Sequence, residues 1–326
     1  MRRREFLALL GGIFPLPIKA SAQQTTMPVI GFLGSATSEG YATVVRQIWE
    51  GLNKQGYREG GNIVAEYRWA DGQLDRLPNL ATDLVRRKVS VIVTTGGPLP
   101  ARAALGATST IPIVFATGSD PVGSGLVPRL SGSGANVTGV TFFSNDLAPK
   151  RLEVMNEMLP SARAFAILMN SRNPGLDRDA KQIQAAAAAR GVTMSIVYAA
   201  GEGSPETAFA ELAQRQVHGL LVHNDSVLYS GIRTIIALAA QYSIPTMYFV
   251  DECARLGGLI SYGTNNIEVL RQAGVYVARI LRGEKPGDLP VQAPTKYELL
   301  INAKTARALG LAVPSSLLAR ADEVIE

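Results

Sequence analysis

From residue 29 onward, short runs that are apolar on both faces alternate with longer amphipathic stretches. Val29–Leu33 (VIGFL) has strand length, and in 41–55 the residues Val44, Val45, Ile48 and Leu52 fall on one face at helical spacing. The alternation predicts strands at 63–69, 89–94, 111–116 and 137–142, with helices at 77–87 and 102–108 between them. The plan then begins again. Helices are predicted at 150–159, 177–190, 205–216 and 228–242, with strands at 165–169, 194–198, 219–222, 246–250 and 258–261. A long helix follows at 267–281, and a strand at 297–301 returns the tail to the second half. Strands buried on both faces and separated by helices imply parallel sheets covered on both sides. A βα plan that occurs twice implies two similar α/β lobes. No period of about 20–50 residues marks a solenoid.

The first 22 residues depart from this pattern. MRRREFLALLGGIFPLPIKASA has a basic start, an apolar run over 6–16 and small residues at Ala20 and Ala22, the layout of a cleavable export signal. Arg3-Arg4-Glu5-Phe6-Leu7 also matches a twin-arginine signal, and the sequence leaves the Sec and twin-arginine routes both open. No cysteine follows the apolar run, so no lipid anchor is expected there. No later stretch is apolar for the roughly 18 residues a membrane span needs, so an exported, periplasmic protein is expected.

Composition narrows the chemistry. The net charge is +5, but Arg2, Arg3, Arg4 and Lys19 against Glu5 account for much of it, and the rest holds 28 basic and 26 acidic residues, a balance of +2. With no basic stripe interleaved with aromatics, nucleic acid is not an expected partner. The lone Cys253 and the two histidines, His218 and His223, give little material for a metal site or a nucleophile–base pair. Nucleophile-elbow, phosphate-loop and zinc-protease motifs are absent. An Asp120–Asp225 carboxylate pair is conceivable for glycoside hydrolysis, but nothing in the sequence favours it. No cofactor and no catalytic residue are expected.

In parallel α/β sheets, ligands bind beyond the carboxyl ends of the strands. The segments in that position are rich in hydroxyls, amides and glycine: Gly34–Ser38, Thr95-Gly96-Gly97-Pro98, Thr117–Pro121, Asn170–Asn173, His223–Ser226 and Tyr262-Gly263. They nominate Ser35, Thr37, Thr95, Gly96, Ser119 and Asp120 from the first half, and Asn173, Asp225 and Tyr262 from the second. Many such residues also serve as N-caps, and Asp120-Pro121 stands in capping order.

The segments at 111–140 (IPIVFATGSDPVGSGLVPRLSGSGANVTGV), 257–265 (GGLISYGTN) and 273–326 resemble the ABC-transporter substrate-binding family that includes the streptococcal tryptophan-binding, TrpX-like proteins. The resemblance implies a type I periplasmic binding fold with two Rossmann-like lobes joined by a three-strand hinge. It places 27–141 with 264–283 in the first lobe and 142–263 with 284–326 in the second. It implies a monomeric receptor that closes on a small polar metabolite, an amino acid or related carboxylate, aromatic by analogy, and partners an ABC permease and ATPase. A periplasmic sensor feeding a membrane kinase or chemoreceptor is the alternative. Relatives usually read Gly-Thr-Pro where this chain has Gly96-Gly97-Pro98, which puts transfer of the ligand itself in doubt.

Overall fold

The computed structural model describes residues 27–173, 175–294 and 296–326, so the expected signal segment lies outside the described residues. The first lobe carries strands β1 (Val29–Gly34), β2 (Val64–Trp69), β3 (Val91–Thr95), β4 (Ile113–Thr117) and β5 (Val137–Thr141). They form one wholly parallel sheet in the order β2-β1-β3-β4-β5. Helices α1 (Ala42–Lys54), α2 (Leu77–Arg86) and α3 (Pro98–Ala107) follow β1, β2 and β3. The second lobe opens with α4 (Ala148–Met158) and continues through β6 (Ala164–Asn170), α5 (Leu176–Ala188), β7 (Thr193–Ala200), α6 (Pro205–Gln214), β8 (Gly219–Val222), α7 (Ser226–Ser230), α8 (Ile232–Gln241), β9 (Thr246–Tyr248), α9 (Asp251–Arg255) and β10 (Ile260–Thr264). The chain then runs through α10 (Asn266–Leu281) to β11 (Tyr297–Asn302), α11 (Ala303–Ala308), α12 (Ser315–Leu318) and β12 (Glu323–Ile325).

The second sheet has the order β12-β11-β10-β9-β8-β6-β7. Here the structure corrects the all-parallel expectation, because β11 runs antiparallel to β10. It enters from the first lobe, and β12 pairs parallel with it, so these two strands run against β10, β9, β8, β6 and β7. Two further differences are local. The helix expected over 228–242 is broken at Gly231 into α7 and α8, since Asp225 caps a separate short turn. Beyond the expected strand, the tail adds two short helices and an edge strand.

Helix α10 returns to the first lobe and packs on α1. The two backbones meet at glycines: a Cβ on Gly274 would lie 2.1 Å from Ile48 O, and one on Gly51 would lie 2.0 Å from Arg271 O. The next segment stays on the first sheet's edge. Thr138 Oγ1 donates to Leu289 O (3.0 Å), Gln292 N donates to Gly139 O (3.0 Å) and Thr141 N donates to Gln292 O (2.9 Å). Residues 286–292 therefore pair with β5, rather than with the second lobe to which the sequence assigned 284–326.

Three chain passages link the lobes, after β5, after β10 and before β11. Beside them Arg151 is buried to 2% exposure, and no carboxylate among the described residues pairs with it. Its Nε donates to Tyr262 O (2.7 Å), Nη1 to Ser144 O (2.8 Å), and Nη2 to Ser144 Oγ (2.7 Å) and Phe249 O (3.4 Å). Burial pushes its pKa down to about 9, which still leaves it charged at neutral pH. The planar five-donor fork matches acceptors from three segments at once, which an ammonium cannot do. Arg151→Lys is expected to lower stability by about 2 kcal/mol or more, since it strands at least one buried acceptor, as a shift in the urea midpoint.

Candidate functional site

The carboxyl ends of both sheets open on one cavity of about 340 Å³. Helices leaving β3, β6 and β8 bring their first turns to its wall, and five of the nine nominated residues meet there: Thr95, Gly96, Ser119, Asn173 and Asp225. Asp225 organises the second-lobe side. Its Oδ1 accepts Val227 N (2.8 Å) and Leu228 N (3.2 Å), capping α7, while Asn173 Nδ2 donates to Oδ2 at 2.7 Å and Asn170 Nδ2 lies 3.2 and 3.3 Å from the two oxygens. The carboxylate is only 7% exposed, and these amide donors satisfy it in place of water.

The other four nominations fall outside the cavity wall. Ser35 is buried behind Gly96, donating to its carbonyl (2.9 Å) and lying 3.0 Å from Ser226 Oγ of the other lobe. Thr37 closes a turn by accepting Gly40 N (3.2 Å). Asp120 does the same for Val122 N (2.9 Å), and the segment it begins is a run of turns, so the capping order there caps no helix. Tyr262 sits at the hinge, with its ring 6.3 Å from that of Tyr297 and its carbonyl taken by Arg151. That ring packs against the core of the second lobe.

Sequence reasoning missed the aromatic wall. Tyr41, Phe142, Tyr229 and Phe249 all line the cavity. Tyr41 belongs to a file of rings, 6.1 Å from Trp69 and edge-on to Tyr229 at 6.4 Å, which in turn lies 6.2 Å from Phe249. Burial and the Asp225 carboxylate push the Tyr41 phenol well above its ordinary pKa, so it stays neutral. Phe142 and Phe249 lie just past strands β5 and β9, but the predicted strands 137–142 and 246–250 ran over both, so the strand-end rule passed them by.

Helix N-termini past the strands are where the strand-end rule expects a carboxylate, but the arginines beside two of them were missed. Helix α3 is capped by Gly97 and α5 by Gly175; neither cap is closed by a side chain, and both glycines line the cavity. Each helix also contributes an arginine to the wall. Arg102 Nε donates to Ser124 O (3.0 Å), and Arg178 Nε donates to Asp179 Oδ1 (2.9 Å). Asp179 lies in turn 3.0 Å from His223 Nε2. Burial raises the Asp179 pKa, but His223 and Arg178 outweigh it and hold the carboxyl below its ordinary value, so Asp179 is ionised at neutral pH. His223 is thus a buried partner of Asp179. Open helix N-termini with nearby guanidinium groups favour an anionic group. Among the described residues, no group of acidic, histidine or cysteine side chains has the arrangement of a metal site.

Two lobes, three passages between them and one cavity at the facing strand ends define a solute-binding protein of the type I periplasmic binding class. The chain belongs to the ABC transporter substrate binding protein family, whose model matches residues 33–325, a family of receptors and not of enzymes. It is similar to the tyrosine-binding protein of Clostridioides difficile (strain R20291), at 26% identity over 268 residues that cover 80% of this chain and 74% of that protein. Among solved structures, a conserved domain protein from Vibrio cholerae superposes with a TM-score of 0.81 at 27% identity, covering 92% of this chain and all of the other. An ABC domain from Streptococcus pneumonia in complex with L-Trp superposes at 0.79 with 23% identity over the same shares.

The Gly96-Gly97-Pro98 departure has a backbone basis. Gly97 has φ 93° and ψ −171°, a region essentially restricted to glycine, while a Cβ there would meet nothing within 4 Å. Gly97→Ala is expected to cost about 1–3 kcal/mol through backbone strain alone. Urea denaturation of the ligand-free protein checks it, since no contact is lost to confuse the reading.

Proposed function

We propose that this protein is the periplasmic receptor of an ABC importer, and that it binds an amino acid or closely related carboxylate with an aromatic side chain between its lobes. The carrying observation is a cavity with two kinds of wall. Four aromatic rings and the apolar Val44, Leu74, Leu99 and Leu270 suit a ring. The open ends of α3 and α5 with Arg102 and Arg178 suit a carboxylate. The negative charge of Asp225, relayed through Asn170 and Asn173, suits an ammonium group. A guest touching both lobes binds the shut arrangement better than the open one and shifts the equilibrium toward it. The tyrosine-binding relative supports this ligand class. The arginine-rich start of the chain supports export, and family membership supports delivery to a membrane permease driven by an ATPase.

Isothermal titration of the purified protein with L-tyrosine, L-tryptophan, L-phenylalanine and L-leucine tests the reading. Micromolar or tighter binding of at least one aromatic amino acid, with L-leucine weaker by about tenfold or more, is expected; folded protein that binds none of the aromatic three would refute it. Asp225→Ala should weaken binding of the preferred ligand by about tenfold or more, because a hydrogen bond to a charged group contributes about 1.5–3 kcal/mol and about 1.4 kcal/mol is a factor of ten.

A further inference from the structure

The cavity offers an anion two helix starts, and their surroundings differ. At α5 the opening amides are already used: Gly175 N donates to Asn173 Oδ1 (2.8 Å) and Leu176 N to Asn173 O (3.0 Å). The first turn of α5 carries Asp177 and Asp179, and Asn173 is also a donor to the buried Asp225. Arg178 is engaged as well. Its hydrogen bond to Asp179, and then the charges of Asp179, Asp146 and Asp120, raise its pKa. One guanidinium thus lies in the field of three carboxylates, and a further anion there meets repulsion from all of them.

At α3 the first turn holds no acidic residue. Gly96 and Gly97, with φ of 90° and 93°, leave its approach bare of side chains, and a Cβ on Gly97 would meet nothing within 4 Å. Pro98 and Pro100 have no N–H, so the opening turn keeps few amides and other donors must come from side chains. Two are at hand. Thr95 is 2% exposed and lines the cavity, and its hydroxyl has no hydrogen-bond partner among the described residues. A buried hydroxyl without a partner is unfavourable, and an oxygen of a guest would supply one. Arg102 stands four residues on from Pro98, hence on the same face of the helix. It gives Nε and Nη2 to Ser124 O, but no carboxylate among the described residues pairs with it.

We infer that the guest lies across the cleft with its carboxylate on the first lobe, at Thr95, the start of α3 and Arg102, and its ammonium on the second lobe, at Asp225. The inference rests on the receptor reading above and decides which of the two helix starts is the anion subsite. Thr95 and Arg102 become the residues that select for a free carboxyl group, while Arg178 neutralises Asp179 and does not receive the carboxylate. Each lobe then takes one charged end of the guest. A molecule lacking either end is held by one lobe only, and loses the differential affinity for the shut arrangement that a bridging guest has.

The test compares L-tyrosine, L-tryptophan and L-phenylalanine with their C-terminal amides by isothermal titration. At about pH 6, below the usual α-amino range of about 7.7–8.0, both members of each pair carry the ammonium. The quantity read is the ratio of amide Kd to acid Kd for the pair that binds most tightly. The wild type should prefer the acid by about thirtyfold or more, and Arg102→Gln should cut that ratio by about tenfold and Thr95→Val by about threefold, as lost hydrogen bonds to a charged group. Arg102→Lys, which keeps the charge, should retain more of the ratio than Arg102→Gln. Arg178→Gln should move acid and amide together, and so should Asp225→Asn, because both ligands keep the ammonium. A ratio unchanged in Arg102→Gln and Thr95→Val, or collapsed by Arg178→Gln, overturns the inference and leaves the receptor reading intact. A wild type that binds none of the three acids overturns that reading, and the inference with it.

Discussion

Asp225 is the group on which the second-lobe face of the cleft depends. A carboxylate shut away from water must be matched by donors or neutralised, and its donors come from three places: the first turn of α7, the end of β6 and the loop after it. Satisfying one charge therefore fixes the relative positions of Asn170, Asn173 and α7. These groups face the cleft because β6 and β8 are adjacent and parallel, with Leu168 level with Val222, so that Asn170 reaches beside the turn that carries Asp225. In the first lobe Thr95 pairs with Ala116, and Thr95, Gly96 and Ser119 all border the cavity.

Hinge and cavity share a second buried charge. Arg151 takes acceptors from the passage after β5, from β10 and from Phe249, whose ring lines the cavity while its carbonyl faces the guanidinium. Gly263 lies against the same carbonyl, where a Cβ would come within 2.1 Å of Phe249 O. A displacement of the hinge passages is thus felt by a residue on the cavity wall, and the reverse. The lobes are coupled at the hinge by hydrogen bonds and at the opposite rim by the α1–α7 contact, with the cavity between.

The division of labour among side chains explains why the nominated residues separated as they did. Short polar residues after strands are needed wherever a turn must satisfy its own amides, and Thr37 and Asp120 do only that. Thr95, Ser119 and Asn173 occupy similar positions in sequence but sit where a turn also borders the gap. Ser35 lies between, used to hold Gly96 and to meet Ser226 across the cleft. Nothing local distinguishes these cases. Which turns border the gap depends on how far each loop reaches beyond its strand and on which neighbours stand between it and the opening.

Hydrophobic periodicity by itself determined the two-lobed α/β plan, because strands buried on both faces leave a signal that needs no partner to be read: VIGFL at 29–33 and the run at 165–169 are strands in any such context. The apolar run at 297–301 likewise placed the return to the second half. Only the tertiary structure decided that β11 enters antiparallel, that 286–292 belongs to the edge of β5, and that Tyr262 serves the hinge while Tyr41, Phe142, Tyr229 and Phe249 wall the cavity. The physical reason is that an aromatic residue carries the same apolar pattern whether it fills a core or faces a guest. Burial on its own lobe is written in the sequence as spacing, whereas contact across a gap is set by the meeting of surfaces far apart in the chain.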